Sequence, residues 1–193
     1  MTALLNRYFR IADGLDRADW LLPTFARFLF AASLLGYFWA SAKTKLGDGF
    51  VGLFSPSTGA YAQIFPKAFE AVGYDSSQFG IFHWLVVMAG TYAEFILPAL
   101  IVLGLFTRLA SLGMIGFVAV QSLTDLYGHG GIQHIETLGA WFDRLPDGVI
   151  LDQRGFWMLL LLTLVIRGAG PLSLDRILTL RNVLSARPAS QPQ

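Results

Sequence analysis

The sequence predicts an all-helical integral membrane protein, a bundle of four transmembrane helices. Hydrophobic residues make up 54% of the 193-residue chain and charged residues only 14%, whereas a soluble domain carries about 25% charged residues. So few charges do not cover a water-exposed surface, and lipid must cover part of it. Four long apolar segments supply the spans. The net charge of +1 gives no basic field that would attract nucleic acid, so nucleic-acid-binding proteins are excluded.

The predicted spans are about 21–42, 80–104, 109–126 and 150–168. A helix of 22 residues rises roughly 33 Å, enough to cross a hydrocarbon core about 30 Å thick. The wholly apolar run 156–166 is too short by itself, so the fourth span must take in residues 149–151 or 168–174. The second and third spans are joined by a turn as short as 106–108, which predicts antiparallel neighbours.

The segments outside the spans also carry apolar residues at helical spacing. Residues 2–15 predict a helix that lies either in the membrane surface or against the end of the bundle. The long loops, 43–79 and 127–154, predict interfacial helices. We assign residues 1–181 to one membrane domain and 182–193 to a disordered tail. Because the chain contains no cysteine, thiol redox relays and Cys-ligated metal clusters are excluded.

The distribution of Lys and Arg predicts the orientation. With four spans both termini lie on one side, and the segments on that side contain eight arginines. The two long loops contain five basic residues: Lys43, Lys45, Lys67, Arg144 and Arg154. Cytoplasmic segments carry the excess of positive charge. We therefore expect a protein with both termini in the cytoplasm.

Arg27 lies inside the first predicted span and Glu94 inside the second, well away from the span ends. A charge in hydrocarbon is costly and marks a functional or a structural site. Glu94 precedes Pro98 by four residues, so a bent backbone accompanies the carboxyl group. One interpretation is a proton-handling or quinone-contacting site. The other is an ion pair between helices, with Arg27 or Arg108 as the partner, that fixes helix packing.

The three histidines all lie toward the loop side. His83 begins the second span, and His129 and His134 follow the third, with Glu136 close by. Imidazoles bind copper or zinc and also hydrogen-bond to quinone carbonyls. However, a spacing of five residues is not a recognised ligand pattern, and the neighbouring glycines are typical of a turn. A metal site at His129, His134 and Glu136, and a quinone site at Glu94 and His83, therefore stand as hypotheses beside purely structural roles.

Three motifs resemble those of DoxX-type membrane proteins. The segment YAEFILPALIVLGLFTRLASLGMIG, residues 92–116, has the acidic residue, the apolar stretch, the Leu-Gly-Leu turn and the Thr-Arg-Leu-Ala that follow one another in that family. The segment GAGPLSLD, residues 168–175, resembles the family's closing Gly-Pro-Gly-x-Leu-Ser-Leu-Asp, although Ala169 and Pro171 depart from that order. An arginine opens the first span and a lysine, Lys43 or Lys45, closes it. The resemblance covers roughly residues 24–176.

The resemblance implies a four-helix protein of the bacterial inner membrane, associated with quinone-linked respiration. Related subunits belong to thiosulfate:quinone oxidoreductases. By motif matching, Arg27, Glu94, Arg108 and Asp175 occupy the family's polar positions, and none of them is thereby a proven catalytic residue. Quinone is the one cofactor that the resemblance suggests.

Three functions remain open from the sequence. The first is a redox subunit that contacts quinone and a periplasmic partner. The second is a non-catalytic accessory subunit, held in the lipid bilayer with other membrane or periplasmic subunits. The third is a small transporter or metal-handling protein, although small transporters are usually built from inverted repeats and the sequence shows none. Whether the chain is an enzyme is not decided by its residues.

Overall fold

A computed structural model describes residues 2–185, with side chains for 3–181. Its regular elements are helices. In chain order they are α1 (Thr2–Asp16), α2 (Leu21–Lys45), α3 (Thr58–Ile64), α4 (Pro66–Ala71), α5 (Ile81–Leu103), α6 (Thr107–Gly128), α7 (Ile135–Leu138), α8 (Val149–Arg167) and α9 (Leu174–Ser185). Short 3₁₀ turns lie at Val51–Leu53, Ser76–Gln78 and Gly131–Gln133.

Four of these helices, α2, α5, α6 and α8, are long and apolar enough to cross a membrane. The prediction of an all-helical chain with four spans is thus confirmed, and each predicted boundary lies within one turn of the observed one. The fourth span is complete, because α8 begins at Val149 and extends over 19 residues. The orientation in the membrane stays a prediction.

Helices also occur in the N-terminal segment and in both long loops, as the sequence predicted. Helix α9 was not predicted. It includes residues 182–185, so the part of the expected disordered tail that the structure describes is helical. The remainder of that tail, 186–193, lies outside the described residues. Helices α1 and α9 adjoin the same end of the bundle, called here the terminal end, and the opposite end is the loop end.

The four long helices form a ring of antiparallel neighbours. The first half of α2 packs against α8, whereas its second half packs against α5, and α6 packs against both α5 and α8. The centre is filled by fully buried side chains from all four helices: Phe30, Phe38, Ile101, Met114 and Leu161.

Helix α2 contains a widened π-helical turn at Ala31–Leu35. Its buried residues recur at every fourth position: Ala26, Phe30, Leu34, Phe38 and Ala42. In a regular α-helix each four-residue step overshoots a full rotation by about 40°, so such a series drifts off one face. The extra residue in a π-turn absorbs part of that drift. As a result, Lys45 at the end of the helix still faces the interior.

Arg27 joins three segments at the terminal end. Its guanidinium group donates hydrogen bonds to the backbone carbonyls of Ile101 (3.0 Å) and Val102 at the end of α5. It also donates to the carbonyls of Ala169 (2.9 Å) and Leu172 (2.6 Å) in the segment between α8 and α9. The last carbonyls of a helix have no partner within the helix. Four backbone carbonyls thus surround the charge of Arg27 and connect α2 to the end of α5 and to the segment before α9.

Asp175 completes the connection at this end. Its carboxylate accepts hydrogen bonds from the backbone amides of Phe106 (2.7 Å) and Thr107 (2.9 Å), at the first turn of α6. These amides are among the donors that a helix leaves free. The tight turn before them requires Gly104, whose φ is +68° and whose added Cβ would lie 2.5 Å from Cβ of Ser173. The motif at residues 92–116 and the motif at residues 168–175 therefore contact each other and stabilise this end of the bundle.

Candidate functional site

A cavity of about 590 Å³ lies between α2, α5 and α6 in the loop-end half of the bundle. Its walls are mainly small or apolar side chains: Val86, Ala89, Gly90, Ala93, Leu97, Gly113, Gly116, Phe117 and Val120. The small residues create the space, since no heavy atom lies within 4 Å of the position that a Cβ on Gly116 would occupy. A volume of this size is typical of sites for small organic ligands.

A buried ion pair forms part of the cavity wall. The Lys45 ammonium lies 2.9 Å from Oε2 and 3.0 Å from Oε1 of Glu94, and it also donates to the Ser41 hydroxyl at 2.6 Å. Ser41 in turn lies 3.3 Å from Glu94 Oε1. The two charged side chains are only 6% and 3% exposed. Such a pair is retained in a membrane interior because each charge neutralises the other.

The predicted partners of Glu94, Arg27 and Arg108, were wrong. Both arginines lie at the terminal end, where Arg108 donates to the Val165 carbonyl at 3.2 Å. Glu94 precedes the last residue of α5 by nine positions, or about 14 Å along the helix axis. Lys45 was assigned to the outer loop, but α2 extends through it and turns its side chain inward. Of the two lysines that the motif offered, Lys43 is exposed and Lys45 is buried.

A second set of polar groups lies near the first. The Tyr37 hydroxyl accepts a hydrogen bond from Gln121 at 3.0 Å, which joins α2 to α6. The side-chain amide oxygen of Gln121, Oε1, is buried and has no hydrogen-bond partner among the described residues. Asp125, which also lines the cavity, forms an ion pair with Arg154 of α8. The sequence predicted Arg154 in the second long loop, 127–154. In the structure Arg154 is instead buried, with 4% of its surface exposed.

Residues 22–124 match the DoxX family. The chain belongs to the DoxX family. No curated protein and no solved structure matches the chain. The matched residues include α2, α5 and nearly all of α6, the three helices that enclose the cavity. The Lys45–Glu94 pair of this DoxX protein therefore lies within the matched segment, whereas Arg154 and Asp175 lie beyond it.

The histidines of this DoxX protein do not form one site. His129 lines the cavity, and its Nε2 lies 3.1 Å from the backbone carbonyl of Gln63 in α3. His83 lies outside the lining, where its ring stacks on Phe79 with centroids 4.3 Å apart. Its Nδ1 is buried without a hydrogen-bond partner among the described residues. Of the two predicted quinone contacts, Glu94 and His83, only Glu94 reaches the cavity.

The proposed metal ligands are also separated. His134 lies 3.6 Å from Glu136, and both side chains are exposed, at 61% and 75%. His129 instead contacts α3. Within residues 2–185 no three His, Asp or Glu side chains are arranged to hold a metal ion. The metal hypothesis therefore stays a prediction, and no cluster in the described part of the DoxX chain supports it.

Two groups outside the spans have shifted pKa values. Burial in the aromatic cluster between α3 and α4 raises the pKa of Tyr61 above its usual value. The hydroxyl and the amide of Ser77 donate to the Asp75 carboxylate, which lowers the pKa of Asp75. Both groups lie in the loop that follows α2, and neither lines the cavity.

Proposed function

We propose that this DoxX protein binds the ring of a quinone in the cavity between α2, α5 and α6, as a subunit associated with quinone-linked redox chemistry. We place it in the bacterial inner membrane with both termini cytoplasmic. The observation that carries the proposal is the buried Lys45–Glu94 pair in the wall of an otherwise largely apolar cavity of about 590 Å³. Polar groups at a few points in an apolar pocket are typical of ligand sites.

The cavity residues suit a quinone in shape and in hydrogen bonding. A quinone ring is flat and apolar, and its carbonyl oxygens accept hydrogen bonds. The Tyr37 hydroxyl accepts its bond from Gln121, so its own hydrogen remains free for a ligand. The small residues of α5 and α6 leave room for the ring beside it.

The ion pair suits a ligand that gains charge. When bound, a quinone supplies the group that accepts electrons, and its oxygens become more negative as it does so. The protons of Lys45 are already directed at Glu94 and Ser41, so we expect Lys45 to act through its positive charge. Glu94 lies in the same wall and, as the carboxylate partner of Lys45, would fix the position of that charge beside the ligand.

Filling the cavity tests the proposal. Gly116→Leu places a side chain in the open space, whereas Gly36→Leu is a matched control, because no atom lies within 4 Å of its Cβ position either and it does not line the cavity. We would titrate each purified protein in nanodiscs with a quinone analogue by calorimetry. Wild type and Gly36→Leu should bind it, and Gly116→Leu should not.

Two results would contradict this proposal. If wild type does not bind the analogue, the protein has no quinone site and the accessory-subunit interpretation gains support. If all three proteins bind equally, the quinone lies elsewhere on the protein. A Glu94→Gln variant that binds as wild type does would show that the ion pair has no part in recognition.

A further inference from the structure

The cavity reaches the outer surface of the bundle between α5 and α6. Four lining residues on these two helices are exposed, Ala89, Gly113, Gly116 and Val120, and Val120 is 64% exposed. Tyr37, Gln63 and His129, which also line the cavity, are exposed as well. The two helices touch nearer the terminal end, where a Cβ on Gly113 would lie 3.2 Å from Leu97. Toward the loop end Gly116 has no neighbour within 4 Å of its Cβ position. An opening therefore begins on the loop-end side of the contact between Leu97 and Gly113.

This opening lies at the depth of the hydrocarbon core. Gly116 follows the first residue of α6 by nine positions and precedes the last by twelve, or about 14 Å and 18 Å along the axis. The middle of a span of that length sits near the centre of a bilayer whose core is about 30 Å thick. The exposed residues at the rim of this opening, Ala89, Gly113, Gly116 and Val120, carry no charge. Acyl chains, rather than water, therefore face the opening.

The loop end of the cavity is covered by α3. The Ser57 hydroxyl at the start of this helix donates to the Thr44 carbonyl at the end of α2 (2.8 Å). At the other end of α3, the Gln63 carbonyl lies 3.1 Å from His129 Nε2, beside the end of α6. The next residue, Ile64, ends the helix, and its Cδ1 lies 3.7 Å from the Cβ position of Gly90 on α5. Thus α3 is attached to all three helices that enclose the cavity.

We propose that the cavity takes its ligand laterally from the bilayer, through the opening between α5 and α6, and not from water at the loop end. The ligand class is then a membrane-dissolved amphiphile. Its flat head accepts hydrogen bonds and lies beside Tyr37 and the Lys45–Glu94 pair. Its hydrocarbon tail leaves between Ala89 and Val120. This inference rests on the proposed function in placing the ligand in the same cavity.

Photolabelling from the lipid phase tests the route without any quinone. The full chain is placed in phosphatidylcholine vesicles that contain a phosphatidylcholine with a diazirine halfway along one acyl chain. A charged, water-soluble diazirine forms the second arm. After illumination, mass spectrometry measures insertion at Ala93 and Glu94, which lie inside the cavity. The acyl-chain reagent should label this wall, and the water-soluble reagent should not.

Variants at the rim make the test specific. Val120→Trp narrows the opening, whereas Leu112→Trp changes an exposed residue of the same helix, 56% exposed, that does not line the cavity. Labelling at Ala93 and Glu94 by the acyl-chain reagent should fall to background in Val120→Trp and remain in Leu112→Trp. Ala89→Trp narrows the opening from the other side and replaces Val120→Trp if that variant does not fold.

Each outcome decides the inference. Labelling of the wall by the water-soluble reagent alone, or equal acyl-chain labelling in wild type and the rim variants, would overturn lateral access. Labelling as expected, together with no binding of the quinone analogue, would leave lateral access in place and refute the quinone proposal. The two failures are therefore distinguishable.

Discussion

Removing Lys45 while Glu94 remains should destabilise the protein strongly. Lys45 provides both of the short contacts of the Glu94 carboxylate, at 2.9 and 3.0 Å, and only Ser41 at 3.3 Å would remain. Glu94 itself is 2% exposed. Breaking a buried pair by removing one partner costs about 3–5 kcal/mol. In a chain of this size each kcal/mol lowers Tm by about 2–4 °C, so Lys45→Met should lower it by about 6–20 °C.

The matched control is Lys43→Met, which removes an exposed lysine two residues earlier in the same helix. Thermal unfolding in detergent, followed by circular dichroism and by tryptophan fluorescence, measures both variants. The double variant Lys45→Met with Glu94→Leu removes both charges and should be more stable than Lys45→Met alone, because no unpaired charge remains. If Lys45→Met and Lys43→Met unfold at the same temperature, the ion pair does not stabilise the bundle and the reasoning is refuted.

Three further predictions concern the turns and helix ends. Gly104→Ala should lower the free energy of unfolding by more than about 1 kcal/mol, because φ is positive and the added Cβ meets Ser173. Gly36→Ala, in an open helical position, should raise the free energy of unfolding by about 0.5–1 kcal/mol. Equal denaturant midpoints for Gly104→Ala and Gly36→Ala would contradict this. Asp175→Ala should lower the free energy of unfolding by about 1–2 kcal/mol and speed the hydrogen exchange of the first amides of α6. Unchanged protection of these amides would be evidence that Asp175 does not cap the helix. The pKa of Asp75 is lowered in the folded protein. Its contribution to stability should therefore be present above the unfolded pKa and lost as pH falls through the folded pKa. A carboxyl NMR titration with a midpoint at the ordinary aspartate value would refute this.

The polar residues of the family motifs divide into two groups with different surroundings. Arg27, Arg108 and Asp175 bind backbone groups at the terminal end. Helix-end carbonyls and amides match their charges. Lys45 and Glu94 face the cavity. We therefore expect substitutions of the first group to act on stability, and those of the second to act on ligand binding as well.

That the chain is a four-span helical membrane protein follows from its residues alone. Composition and the length of each apolar run decide this, because a bilayer demands about 20 apolar residues per helix and few charges. The same reasoning identified Glu94 as exceptional, since a carboxylate in hydrocarbon requires a partner. It did not identify Lys45 as the partner of Glu94, because that lysine lies at a helix end, where a sequence pattern predicts exposure.

Which groups meet depends on how the helices pack in three dimensions. The π-turn at Ala31–Leu35 keeps Lys45 on the inner face, and no periodicity count predicts that extra residue. The pairing of Asp125 with Arg154, the exclusion of His83 from the cavity and the attachment of α3 over the loop end likewise depend on how helices far apart in the sequence pack. Hydropathy fixes which residues enter the membrane. The relative rotation and spacing of the helices, set by side-chain packing, fix which of them touch.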